Sequence, residues 1–148
     1  MQVISEYIND HPLAVLSTVD SNGRPHGTNL YVGSDDRLNA YFMTKIGTGK
    51  AQNIQNNPSI ALTFSGEEHQ TTLQISGTAV EVTVPDESAS AFQVLGSLRH
   101  ESRDFRLPIS KIDAGPYIVF RVRVEDAILT EYEHSNQLDG IVRVEYHA

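Results

Sequence analysis

The chain has no cysteine, which excludes disulfides, a thiolate nucleophile and cysteine-ligated metals. Any redox chemistry would have to come from a bound cofactor. Basic residues are scarce: 11 Lys and Arg stand against 19 Asp and Glu, for a net charge of −8 with no basic cluster to offset it. Such a chain repels the phosphate backbone of nucleic acids. No apolar run is long enough to span a bilayer, and the first residues lack a basic stretch followed by an apolar core, so a cytoplasmic protein is the expectation. The histidines, His11, His26, His69, His100, His134 and His147, show no i,i+4 pair and no compact ligand spacing, and no metal site is expected. No serine sits in a nucleophile elbow, which leaves hydrolase chemistry without support.

What is present is mostly strand pattern. At 148 residues the chain is expected to form one domain, burying roughly two thirds of its unfolded surface. Met1 to Asn9 places Val3, Ile4, Tyr7 and Ile8 at helical spacing before Asp10-His11-Pro12 breaks it. Leu13 to Val19 reads as a strand, Asp20 to Gly23 as a hairpin turn and Pro25 to Val32 as the returning strand. After a turn at Asp35-Asp36, Leu38 to Met43 gives a third strand and Ser59 to Phe64 a fourth. Thr72 to Val84 is a longer strand, with Gly77 at a bulge or close approach. Strands joined by short turns, with only one helix intervening, favour an antiparallel barrel over a parallel α/β sheet.

The stretch Tyr41 to Pro58, YFMTKIGTGKAQNIQNNP, carries the functional signal. It reads as a strand end, a tight turn flanked by Gly47 and Gly49, and a short helix stopped by Asn57 and Pro58. The first turn of a helix presents unpaired N–H groups and the positive end of its dipole, so an anion is stabilised there. Thr48 is the expected N-cap, Lys50 supplies a charge and Thr44 a hydroxyl from the strand end. Ala51 and Ile54 share the face expected to pack on the barrel, with Lys50, Gln52 and Asn53 outward. A P-loop would need glycine at Thr44 and a hydroxyl at Ala51, and a dinucleotide fingerprint would need glycine at Gln52. Both are excluded. On these residues alone, Gly47 to Lys50 is either a phosphate site or an ordinary capped connection.

Three stretches, LAVLSTVDSNGRPHGTNLYV, YFMTKIGTGKAQNIQNNPSIALTF and TLQISGTAVEV, together resemble the pyridoxamine-phosphate-oxidase-like FMN-binding split-barrel family over about half the chain. The most specific piece is Thr44, Thr48, Lys50, Ala51 and Asn57-Pro58 in that spacing. The resemblance implies an antiparallel split β-barrel with short flanking helices. It also implies Thr44, Thr48 and Lys50 near the FMN phosphate or ribityl chain, and Asn29, Leu30 and Tyr31, on the strand running to Val32, beside the isoalloxazine. Met43 and Gly49, within the same motif, complete the implied cofactor set. A flavin-dependent oxidoreductase working as a homodimer, with the flavin between subunits, is the implied function. Many members carry arginine where this chain has Gly49, and another where it has Thr28-Asn29-Leu30. The C-terminal Arg-x-His of true pyridoxamine-phosphate oxidases is replaced by Val144-Glu145-Tyr146-His147-Ala148. A non-catalytic flavin-binding module, or a barrel for F420 or haem, are the alternatives.

Pro85 to about Arg99 should be a helix, with Ala91, Phe92, Leu95 and Leu98 on one core or dimer-packing stripe. Arg99, Arg103 and Arg106 are candidates for an anionic substrate, or belong to a self-paired charged loop. Tyr117 to Val124 is the last long strand, with Arg121 and Arg123 on its polar face, and Gly140 to Tyr146 a terminal edge strand or swapped tail. His26, beside the implied ring site, is either a ring contact or an exposed hairpin histidine.

Overall fold

Only Val32 separates the two strands that end up at opposite ends of the sheet. The structure is a computed structural model and describes residues 1–67, 70–99, 116–132 and 141–148. In chain order its elements are α1 (Gln2–Asp10), β1 (Leu13–Val19), β2 (Pro25–Tyr31), β3 (Gly33–Ser34), β4 (Ala40–Lys45), α2 (Gly49–Asn56), β5 (Ser59–Gly66), β6 (Thr71–Glu81), α3 (Pro85–Ser97), β7 (Tyr117–Tyr132) and β8 (Ile141–His147). The strands follow the order β2-β1-β5-β6-β7-β4-β3, with β8 also on β7 and every pairing antiparallel. Since β2 and β3 terminate that order yet are chain neighbours, the sheet must curl until its ends meet. The result is a split barrel, open between β2 and β4. His69, His100, Arg103, Arg106, His134 and Gly140 lie outside the described residues.

The alternating side chains of the strands fill the barrel. Leu16, Leu62, Phe64, Leu73, Ile75, Phe42, Phe120 and Val122 point into one buried cluster, which α1 closes with Ile4 and Ile8 and α2 with Ala51 and Ile54. A second cluster lies outside the barrel wall. There Tyr41 and Met43 of β4 pack under Ala91, Leu95 and Leu98 of the α3 segment, so β4 is buried on both faces. Burial, aided by the Asp35 and Glu87 carboxylates, raises the Tyr41 hydroxyl above its ordinary pKa. Gly77 sits at a register shift between β6 and β7, where an added Cβ would collide with the Arg123 carbonyl oxygen.

Several boundaries differ from the sequence reading. The third long strand starts at Ala40 because Leu38 adopts φ +64° in the turn whose amides Asp35 binds, so Leu38 cannot continue a strand. The two-residue β3 has no local pattern of its own. The β6 strand stops at Glu81, three residues short of Val84, which instead becomes the N-cap of α3. Arg121, on the polar face of β7, is paired within the chain: its Nε donates to Glu87 Oε1 at 2.6 Å and ties β7 to α3. Asn53 is not a solvent-directed residue, since its amide donates to Thr18 Oγ1 at 3.0 Å and holds α2 on β1.

The terminal strand β8 is pinned by charge. His147 Nδ1 lies 2.6 Å from Asp126 Oδ1 on β7, and its Nε2 lies 3.4 Å from Glu145 Oε2. Asp126, followed by Glu145, raises the His147 pKa above the ordinary histidine value. The folded strand therefore favours the protonated ring. Its contribution is complete below the unfolded histidine pKa and is lost as pH rises through the raised one. Amide-exchange protection over residues 143–147, corrected for intrinsic rates, is expected to fall across that rise and to lose its pH dependence in His147→Gln. Protection that is flat with pH in the parent chain contradicts the pin.

Candidate functional site

The site is built where the split opens. Thr48 caps α2, its extended backbone turning the chain out of β4 while its Oγ1 accepts from Ala51 N at 3.4 Å. The same hydroxyl donates to the Lys45 carbonyl at 3.0 Å. Its single proton is thus committed, so in the 3.1 Å contact between the two threonine hydroxyls Thr44 is the donor. Thr44 is only 3% exposed, and its proton points inward to Thr48. It serves here by fixing the cap's orientation. Gly47, at φ +82°, makes the turn that lets the capped helix start so soon after β4.

This turn faces a cleft of about 520 Å³. One wall is the end of β2, with Asn29, Leu30 and Tyr31; the other is Met43, Thr44, Thr48 and Lys50. Seven of the eight residues expected at a cofactor site therefore share one cleft. Gly49 does not border it, and open space surrounds the place where its side chain would be. Lys45, Tyr117 and Leu13 also line the cleft and were not singled out from sequence. Tyr117 arrives through the pairing of β7 with β4, which sets it opposite Lys45.

The electrostatics are one-signed. Among the described residues no carboxylate lines the cleft, and neither Lys45 nor Lys50 has an ion-pair partner. The N–H groups of Gly49 and Lys50, in the first turn of α2, likewise have no acceptor among the described residues. Across the cleft lies the end of β2, which among the described strands pairs with β1. The arrangement can hold an anionic group at one end and hydrogen-bond a planar polar group at the other. His26 is not part of it. It lies exposed on the hairpin with Nε2 2.9 Å from Asp20 Oδ2, and this bond, more than the Arg24 N–H, holds Asp20 below the ordinary carboxylate pKa. Among the described residues no group of His, Asp and Glu is placed to hold a metal, and no helix is long and apolar enough to cross a membrane.

The fold is a split barrel with a cleft at its opening that carries Lys45 and Lys50. The family model described as pyridoxamine 5'-phosphate oxidase matches residues 1–131, and the chain belongs to that family. A pyridoxine/pyridoxamine 5'-phosphate oxidase of Pseudomonas fluorescens is 38% identical over 84 residues, covering 55% of this chain and 39% of that protein. The chain thus spans less than half the length of the curated relatives it matches. Among solved structures, a pyridoxamine 5'-phosphate oxidase-related, FMN-binding protein of Nostoc punctiforme superposes with a TM-score of 0.68 at 16% identity, over 98% of this chain and 88% of that one. A haem-binding protein of Mycobacterium smegmatis gives 0.68 at 10% identity, over 97% and 56%. An F420 reductase gives 0.64 at 17%, over 83% and 94%. At these identities the structures share the fold.

Proposed function

We propose that the chain is an FMN-binding flavoprotein and acts as a flavin-dependent oxidoreductase. The observation that carries this reading is the cleft itself, where the capped start of α2 and two lysines without an ion-pair partner among the described residues face the end of β2. Its volume falls within the range of roughly 300–1,000 Å³ usual for cofactor sites. Lys50 and the Gly49 and Lys50 N–H groups would hold the phosphate, with Thr48 keeping the helix start in place. The β2 edge at Asn29 to Tyr31 would hydrogen-bond the ring, and Leu30, Tyr31 and Met43 would shield it from water. When bound, FMN supplies the hydride acceptor that the chain's own side chains lack.

The same reading includes a homodimer. Leu13, beside the cleft, and Val15, on the same face of β1, are 38% and 39% exposed and give apolar surface that a second copy would cover. Anaerobic mixing of the FMN-loaded protein with NADH or NADPH tests the activity. Bleaching of the flavin band supports an oxidoreductase. Persistent oxidised flavin with every reductant and candidate substrate leaves a flavin-binding module. The unfilled space at Gly49 favours attention to one second reading, a flavin-like ligand such as F420 or a haem in the same barrel, which mass identification of the extracted ligand separates.

A further inference from the structure

Charge is segregated along this chain. Of its 19 Asp and Glu, none falls between Asp36 and Glu67, the stretch that forms β4, α2 and β5. The lysines are Lys45, Lys50 and Lys111, and the first two line one cleft. They leave from the two arms of a closed turn. Thr48 donates to the Lys45 carbonyl from its backbone N–H at 3.4 Å and from its hydroxyl at 3.0 Å, which ties the end of β4 to the start of α2. The alternation that turns Phe42 inward puts Tyr41, Met43 and Lys45 on the outer face of β4, and the register sets Tyr117 of β7 opposite Lys45. Lys45 is exposed and belongs to neither core cluster, so packing does not account for it.

Two like charges in one cleft repel each other, and among the described residues no carboxylate lines this cleft to offset them. A single negative charge at the start of α2 answers only one of the two. A group that carries two negative charges on neighbouring oxygens answers both.

We propose that the cleft selects a dianionic phosphate monoester and that Lys45 is the residue that reads its second negative charge, while Lys50 and the first turn of α2 take the first. Monoanionic diesters are disfavoured there. Naming FMN as the dianion rests on the flavin reading; the charge selection does not. The titratable side chains that line the cleft are Lys45, Lys50, Tyr31 and Tyr117, whereas Asp10, His11 and Glu67 border the neighbouring recess. With neither carboxylate nor imidazole among the described lining residues, the group that ionises near neutrality in the complex is the ligand's own phosphate, whose second pKa is about 6.

The test compares FMN with riboflavin 4′,5′-cyclic phosphate, a monoanionic diester bearing the same ring, by fluorescence titration between about pH 5.5 and pH 7.5. FMN affinity should rise roughly fourfold across that range, following the dianion fraction, while that of the cyclic phosphate stays flat. At the upper pH FMN should bind roughly fivefold or more tighter than the cyclic phosphate. Lys45→Gln should flatten the FMN profile and close most of the gap between the two ligands, and Lys45→Arg should keep both. A merely steric preference for FMN would survive Lys45→Gln. An FMN affinity that is flat with pH in the parent chain, or a gap that persists in Lys45→Gln, overturns the proposal and leaves FMN binding in place. If FMN does not bind, phenylphosphate replaces it: saturable amide shifts over Lys45 to Lys50 that strengthen across the same pH range uphold the charge selection and remove only the flavin reading, and an absence of such shifts removes both.

Discussion

Lys50→Ala is expected to weaken FMN binding by about 10- to 150-fold, the factor equivalent to the roughly 1.5–3 kcal/mol of a hydrogen bond to a charged group. The size follows from the position. Lys50 is half-buried beside the first turn of α2, where its charge adds to two N–H groups and the helix dipole rather than acting alone in water. Among the described residues no carboxylate lines the cleft to compete for it. Fluorescence titration measures the loss, and a variant that binds as tightly as the parent removes Lys50 as the anchor. The adjacent Gly49 provides an opposite arm of the same experiment. Its φ is unstrained and its surroundings are open, so Gly49→Arg places a second cation at the helix start without collision and should tighten binding. Loss at Lys50 with gain at Gly49 would locate the phosphate at α2; affinity unchanged in both variants would locate it elsewhere.

Phe42→Ala should cost about 3–5 kcal/mol of folding stability, a large part of the roughly 5–15 kcal/mol available to a domain of this size. Phe42 is fully buried at the centre of β4, directly opposite Phe120 of β7, with ring centroids 5.3 Å apart. Because β4 is covered on both faces, neither neighbouring layer can easily collapse into the space left behind. Urea unfolding followed by circular dichroism gives the value. Val15→Ala, on the exposed face of β1, should change it by less than about 1 kcal/mol. A Phe42→Ala cost no larger than that of Val15→Ala would mean that the barrel interior is not the principal core.

The parts of this architecture legible in the sequence are those encoded locally. The strand Leu13–Val19 shows its apolar alternation, and the helix Gly49–Asn56 is bracketed by its own cap and stop signals at Thr48 and Asn57. The cleft residues Thr44, Thr48 and Lys50 are legible because they are close in sequence, and those on β2 come through family resemblance. Tyr117 was not legible as a cleft residue, since it reaches Lys45 only through a β4–β7 register between segments more than seventy residues apart. Nor was the bond from Arg121 to Glu87, which depends on where α3 lies across β7. The wide recess bordered by His11, Leu13, Asn29, Gly66 and Arg99 is the extreme case, assembled from α1, β1, β2, β5 and the segment after α3. No window of the chain contains enough of its wall to signal it.

The visible spectrum of the purified chain, recorded before and after addition of FMN and followed by mass identification of whatever denaturation releases, addresses the central claim most directly. The account predicts a flavin spectrum that saturates at one FMN per chain and co-elutes with a dimer. A chain that takes up no FMN, in either its purified or its reconstituted form, contradicts it and leaves the turn from Gly47 to Lys50 as a capped connection between a strand and a helix.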